Sequence, residues 1–288
     1  MLDGEKYQRL LRDKDMRVTV DFQQSDSVGF VTLSQPGKLN PLNDEMWADL
    51  DSLVDRIEQA PLRSVVLTGA GRVFSAGGDV NRMQMVLHSG QSQAAFRQSE
   101  LARLRRIGDI LLRWLRMPLI RVAAINRCAV GAGLALACSS DYKIVEEDGF
   151  FDTAFGRLGL PGDTGISYFL PRLVGAQRGR DWLIRPRRIY AAEALRIGLV
   201  DEVVPAGELL GRAKAVAAEF AAASPVTVGW IRRLVDPGDD RELEQALELE
   251  AQATVDCKAS SFHRAAVAAF LAKHDRDTFS RPTGPSPG

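Results

Sequence analysis

Cysteine and histidine are both scarce, at three residues each in 288. Cys128, Cys138 and Cys257 share no metal-ligand spacing, and His88, His263 and His274 form no HExxH-type pair. A metal centre is therefore not expected. A sparse, odd cysteine count points to reduced thiols, as in a cytoplasmic compartment, and not to a disulfide framework. No apolar run reaches the roughly 18 residues that a membrane-spanning helix needs. The opening "MLDGEKYQRLLRDKD" is too charged for a secretory signal. Net charge is missing too: 37 Lys+Arg balance 37 Asp+Glu, giving a formal charge of zero. Nucleic acid and anionic membrane surfaces are thus poor candidates for the main partner. A local basic patch for a phosphorylated small molecule remains compatible with that balance. There is no internal repeat and no low-complexity domain.

What is present is ordinary globular composition, 45% hydrophobic and 26% charged. "VTVDF" (18–22) and "VGFVTLS" (28–34) flank a polar "QQSD" and predict a hairpin. In "NPLNDEMWADLDSLVDRIEQA", Leu42, Met46, Leu50, Leu53, Val54 and Ile57 fall at helical spacing. "SVVLTGAG", "LIRVAAI" (119–125) and "YKIVEE" (142–147) predict buried strands. Residues 93–116 and "VGAGLALAC" predict helices between them. Alternating strands and helices argue for parallel βαβ units and an α/β fold. From about residue 176 the chain predicts helices over 176–184, 191–197, 206–222, 224–235, 240–257 and 259–273, with one strand in "GLVDEVVP" (198–205). The expected organisation is an α/β core over 16–190, a helical region over 191–274 and a disordered tail over 275–288.

Two glycine-rich turns follow buried strands: "VFSAGGDV" (73–80) and "VGAG" (130–133). Small residues let a ligand approach the backbone. The second turn opens a helix, whose first N–H groups lack internal partners and carry the positive end of the dipole. Two such groups aimed at one oxygen make an oxyanion hole. Tight strand–helix packing accounts for the same glycines without any ligand. Neither turn is a GxGxxG or Walker loop, so a nucleotide cofactor is not supported.

Taken in order, these segments resemble the crotonase superfamily, also called the enoyl-CoA hydratase/isomerase family. The resemblance spans roughly residues 16–280. "PGKLNPL" (36–42) is similar to the first CoA-contacting loop, "FSAGGDV" (74–80) to the first oxyanion loop, and "MPLIRVAAINRCAVGAGLALACSSDYKIV" (117–145) to the second. "FGRLGLPGDTGISYFLPRLVG" (155–175) resembles the catalytic turn, and "AAEALRIGLVDEVVP" (191–205) and "AAVAAFLAK" (265–273) resemble later landmarks. The resemblance implies a crotonase-like spiral of ββα units with a C-terminal helical trimerisation region. It implies a homotrimer or hexamer (a dimer of trimers), an acyl-CoA substrate that brings its own coenzyme A, and no separate cofactor. Carried over by position, the amides of Gly78 and Ala132 are the oxyanion donors. Lys38, Leu39, Ala76, Gly78, Asp79, Val80, Ala132, Phe155, Leu160 and Lys273 line the acyl-CoA. Asp79 also reads as loop-stabilising, and Lys273 also reads as an exposed helical lysine. The polar segment 81–105 shapes the acyl pocket and is expected to act as a lid.

The family's hydratases use two glutamates, and this chain has Ala135 and Phe155 in their places. Neither side chain transfers a proton, so water addition by two carboxylates is not expected. Asp163 remains, in "LGLPGDTG", at the position of the aspartate in dienoyl-CoA and phenylacetate-type isomerases. One carboxylate suffices to move a double bond, with the enolate held by donors worth about 3–4 kcal/mol each. Asp163 also fits a helix N-cap before "TGISYFLPRLV", with Thr164 as another possible cap. Arg157 is placed to pair with Asp163, and Asp141 and Asp152 to orient loops. The arginines at 103, 105, 106, 113 and 116 read as a solvated helix face. Trp47, Trp114, Trp182 and Trp230 read as packing residues. Three other readings stand beside the isomerase: acyl-CoA binding without turnover, another crotonase reaction such as hydrolysis or C–C cleavage, and weak hydratase activity.

Overall fold

The computed structural model describes residues 19–88, 90–235 and 242–279; the side chains of 80, 86, 87 and 273–279 lie outside the description. The chain divides into two compact units, one ending at Ala222 and one beginning at Ala223.

The first unit is built on a six-stranded sheet in the order β1-β2-β3-β4-β6-β9. Strands β1 (Val20–Ser25) and β2 (Val28–Leu33) form the antiparallel edge hairpin. Strands β3 (Ser64–Gly69), β4 (Ile120–Ile125), β6 (Tyr142–Glu146) and β9 (Glu202–Val204) continue from it in parallel. A sheet covered on both faces needs apolar residues at every position. "SVVL" and "VAAI" are unbroken for that reason. Val65, Leu67, Ala123 and Ile125 face one apolar cluster, and Val66, Val122, Ala124 and Ile144 face the other.

A second, three-stranded sheet joins β5 (Cys128–Val130), β7 (Phe150–Asp152) and β8 (Ile189–Tyr190). Two passes of the chain each add a strand to both sheets, β4 with β5 and β6 with β7. This is the expected ββα spiral. The strands of the second sheet are two or three residues long, too short to show alternation, and the sequence does not predict them.

Helix α1 (Asp44–Glu58) is started by Asn43, whose side chain accepts from the Met46 N–H at 2.9 Å. Its buried stripe is Met46, Trp47, Leu50, Leu53, Val54 and Ile57. Helices α2 (Val80–Leu87) and α3 (Gln93–Arg116) follow β3. The expected lid segment 81–105 is therefore two helices and their connection. The solvated arginine face holds for Arg105 and Arg116, which are exposed, and is corrected for the others. Arg103 bonds Asp44, Arg106 and Arg113 bond Asp51, and Arg113 also bonds Asp55 and Glu58, so these three ladder α3 onto α1.

Helix α4 (Ala132–Cys138) is fully buried. Helices α5 (Ile166–Val174), α6 (Ala176–Ile184) and α7 (Ala191–Arg196) complete the spiral. Helix α8 (Leu209–Ala221) covers the far face of the sheet through Leu209, Ala213, Val216 and Ala217. The core boundary expected near residue 190 thus falls at 222, because β9 extends the sheet and α8 shields it. The second unit holds α9 (Pro225–Leu234), α10 (Leu243–Ala259) and α11 (Ser261–Phe279). Because α11 runs to Phe279, the tail expected from 275 is helical at its start; 280–288 lie outside the described residues.

Candidate active site

Ser75 joins the two glycine turns. It forms a parallel bridge with Ala129, its N–H donates to Cys128 O at 3.2 Å, and its carbonyl accepts from Val130 N–H at 3.0 Å. "FSAGGDV" is thereby held flat against "VGAG". Gly77 has φ +94°, and a Cβ there would lie 2.6 Å from Val130 O and 3.6 Å from Ala132 N. A Cβ at Gly133 would lie 2.6 Å from the Ser75 Cβ. Tight packing therefore explains Gly77 and Gly133. It does not explain Gly78, where an added Cβ would meet only the flexible end of Met83, at 3.3 Å. The Gly78 N–H makes no hydrogen bond among the described residues. Ala132 is the first residue of α4, so its N–H has no intrahelical acceptor.

The loop holding Lys38 and Leu39 is pinned to this pair of turns. Lys38 and Leu39 are exposed, and Leu39 O accepts from Ala76 N–H at 2.9 Å. The residue that organises the loop is one the sequence does not single out. Asn40 is fully buried; its amide donates to Ala70 O at 2.9 Å and Val73 O at 2.8 Å, and its Oδ1 accepts from Gln35 N–H at 2.8 Å. Its carbonyl accepts from the Ser75 hydroxyl at 2.7 Å. The available signal is its Asn-Pro dipeptide, a turn marker. Asn40→Ala leaves several buried partners unpaired, and urea titration should show a loss of about 3 kcal/mol with an unchanged m-value.

Asp79 opens α2: its carboxylate accepts from Asn81 N–H at 2.9 Å and its carbonyl from Met83 N–H at 3.2 Å. This is the loop-stabilising reading. The side chains of Val80 and Lys273 lie outside the described ones.

Asp163 is half-buried in a turn of left-handed backbone, with φ +112° at Gly162, +52° at Thr164 and +81° at Gly165. A β-branched threonine in that region is uncommon and costs about 1–3 kcal/mol. The N-cap of α5 is Gly165, with no side-chain cap bond. The capping readings of Asp163 and Thr164 are therefore corrected. The Asp163 carboxylate instead accepts the Thr164 hydroxyl at 3.0 Å. Nor does Arg157 pair with it, because Arg157 is bound to Asp152 at 2.8 Å. Burial pushes the Asp163 pKa above the ordinary carboxylate value; the Thr164 bond and Arg103 oppose this, and Glu100 adds to it.

Phe155 and Ala135 are both buried. A Cβ at Gly131 would lie 3.9 Å from Phe155 Cζ, and one at Gly162 would lie 3.7 Å from Phe155 Cδ2. The Phe155 ring therefore spans from the start of α4 to the Asp163 turn. A Cβ at Gly165 would approach Leu111 of α3 to 3.3 Å, which sets the turn on the α3 face. Leu160, in the same turn, is exposed. Asp152 accepts from Ala154 N–H at 2.9 Å, and Asp141 from Arg121 N–H at 2.8 Å, so both orient backbone as expected. Burial pushes the Cys138 thiol up to about 12 and raises Cys128 as well, so neither is a ready nucleophile.

Residues 23–279 match the family model described as enoyl-CoA hydratase/isomerase. The chain is 31% identical to a short-chain-enoyl-CoA hydratase from Clostridium acetobutylicum, covering 90% of this chain and 97% of that protein. It is also 31% identical to a 1,2-epoxyphenylacetyl-CoA isomerase from Escherichia coli, covering 84% and 91%. A crystal structure of an enoyl-CoA hydratase/isomerase from Cupriavidus metallidurans superimposes with a TM-score of 0.80 at 29% identity, covering 91% of this chain and 96% of that one.

Proposed function

The chain belongs to the enoyl-CoA hydratase/isomerase family, and from that premise we propose that it is an enoyl-CoA isomerase with Asp163 as its single acid/base. The observation that carries this reading is the Asp163 turn: a half-buried carboxylate with a raised pKa, no capping bond and no pairing to Arg157. The positions of the family's glutamates hold the apolar Phe155, which lies against this turn, and the buried Ala135. The Asp163 carboxylate takes a proton from the carbon next to the thioester of a 3-enoyl-CoA. The negative charge moves to the thioester oxygen, where the Gly78 and Ala132 N–H groups stabilise it. Protonated Asp163 then returns the proton to the far end of the dienolate, giving the conjugated 2-enoyl-CoA. No atom is gained or lost, and no cofactor beyond the substrate's own CoA is used. We assign Lys38, Leu39, Ala76 and Leu160 to the acyl-CoA path on the same grounds, and the helices α9–α11 to assembly as a homotrimer or a dimer of trimers in the cytoplasm.

The test is turnover of 3-enoyl-CoA, followed by ultraviolet absorbance of the conjugated product, beside hydration of 2-enoyl-CoA. Isomerisation should exceed hydration by about 10³-fold or more, since hydration lacks its second carboxylate. The reverse order would establish a hydratase. Tight binding with neither reaction would establish an acyl-CoA binding protein.

A further inference from the structure

Helix α2 begins two residues after Gly78, and among its described side chains none is fully buried. Arg82 ties it to its neighbours. The guanidinium makes a two-pronged contact with Glu100 of α3, at 2.8 and 2.9 Å, and its Nε donates to Asp44 of α1 at 3.1 Å. Arg103 closes the group from below, bonding Asp44 at 2.6 Å and lying 3.5 Å from Glu100. All four side chains lie outside the oxyanion turns, and the chemistry above uses none of them. Arg82, Glu100 and Arg103 are each less than a quarter exposed. The planar fork on a carboxylate has a definite geometry, unlike a lone exposed lysine pair. One residue beyond Arg82, Met83 lies against Gly78.

We propose that Arg82 is a positioning residue: by clamping α2 to α1 and α3 through Asp44 and Glu100, it sets where the Gly78 N–H points. The inference rests on Gly78 being an oxyanion donor. The clamp is anchored on Glu100 and Arg103, the same two α3 residues whose charges act on Asp163. A donor displaced by about 1 Å costs roughly 10²-fold in rate.

The experiment compares wild type with Arg82→Ala, Arg82→Lys and Glu100→Gln. Three readouts are taken: hydrogen exchange of the amides of residues 81–85, the red shift of bound cinnamoyl-CoA, and kcat and KM for 3-enoyl-CoA. Cinnamoyl-CoA is a conjugated thioester whose absorption moves to longer wavelength when its carbonyl is polarised. Arg82→Ala and Glu100→Gln should speed exchange at least tenfold, shrink the red shift and lower kcat about 10²-fold with KM within about threefold. Arg82→Lys keeps the charge and loses the fork, and should fall between. Unchanged amide exchange, or a full red shift in Arg82→Ala, overturns the inference. If wild type shows neither red shift nor turnover, the oxyanion reading has failed, whereas a shift in wild type that survives Arg82→Ala sinks only the positioning role.

Discussion

Asp163→Asn is expected to lower isomerisation kcat by about 10³-fold while leaving acyl-CoA binding within about twofold. Asparagine keeps the shape, and its Oδ1 still accepts the Thr164 hydroxyl. Its amide neither accepts nor releases a proton at the reaction's pH. Position 163 should also show an opposite effect on stability. The folded carboxyl has its pKa raised above the unfolded aspartate value of about 3.9. Between those two values the folded chain binds more protons than the unfolded chain, so stability falls as pH rises through the window. At neutral pH the ionised, half-buried Asp163 is a net burden, and Asp163→Asn should melt higher than wild type. The gain should shrink towards acid pH, where wild type is protonated as well. Glu100 and Arg103 are the charges acting on the group, and their opposite signs partly cancel. Activity should run the other way: wild-type kcat/KM should rise with pH through the raised pKa, because only the carboxylate takes a proton. A variant that isomerises at the wild-type rate would remove Asp163 from the reaction. A variant that loses both activity and stability would make it structural.

The regular elements were largely legible from pattern. Residues 93–116 predict α3 to the residue, and 176–184 predict α6, because long amphipathic or capped runs carry many independent signals. The parallel core strands were legible as unbroken apolar runs. The second sheet was not, since two or three residues cannot display a period. Side-chain partners were legible only where they are local. Arg106 and Arg113 of α3 look solvated in isolation because their acids lie some 55 to 62 residues away on α1. Arg157 looks like a partner for Asp163 by proximity in sequence, but the fold gives it Asp152 instead. The Asp163 turn shows the limit most clearly. "PGDTG" is compatible with a capped helix and with a strained turn, and only the left-handed φ at Thr164 separates them. Family resemblance supplied the candidate oxyanion amides, but it could not say which glycine of the pair at 77 and 78 is spent on packing.

That last distinction has the largest expected structural consequence. Gly77→Ala should cost about 3 kcal/mol or more and reduce turnover about 10²-fold, whereas Gly78→Ala should cost under about 1 kcal/mol. The two glycines are adjacent, and helix or strand propensity cannot separate them. At 77 the backbone has φ +94°, which penalises any Cβ, and the new atom would stand 2.6 Å from Val130 O. Backbone cannot rotate away as a side chain can. Relief must come from separating the Ser75–Ala129 bridge, so "FSAGGDV" moves off the start of α4 and the Gly78 and Ala132 amides move apart. At 78 the new methyl meets only Met83 Cε, at 3.3 Å, and a flexible thioether yields by a few tenths of an ångström. Urea titration of both variants measures the first difference, and kcat for 3-enoyl-CoA the second. Should Gly78→Ala retain stability yet lose turnover, the methyl is obstructing the acyl-CoA itself, which places the substrate at Gly78. Should Gly77→Ala retain both, the two loops are not held together by close packing, and the Ser75 bridge alone must carry them.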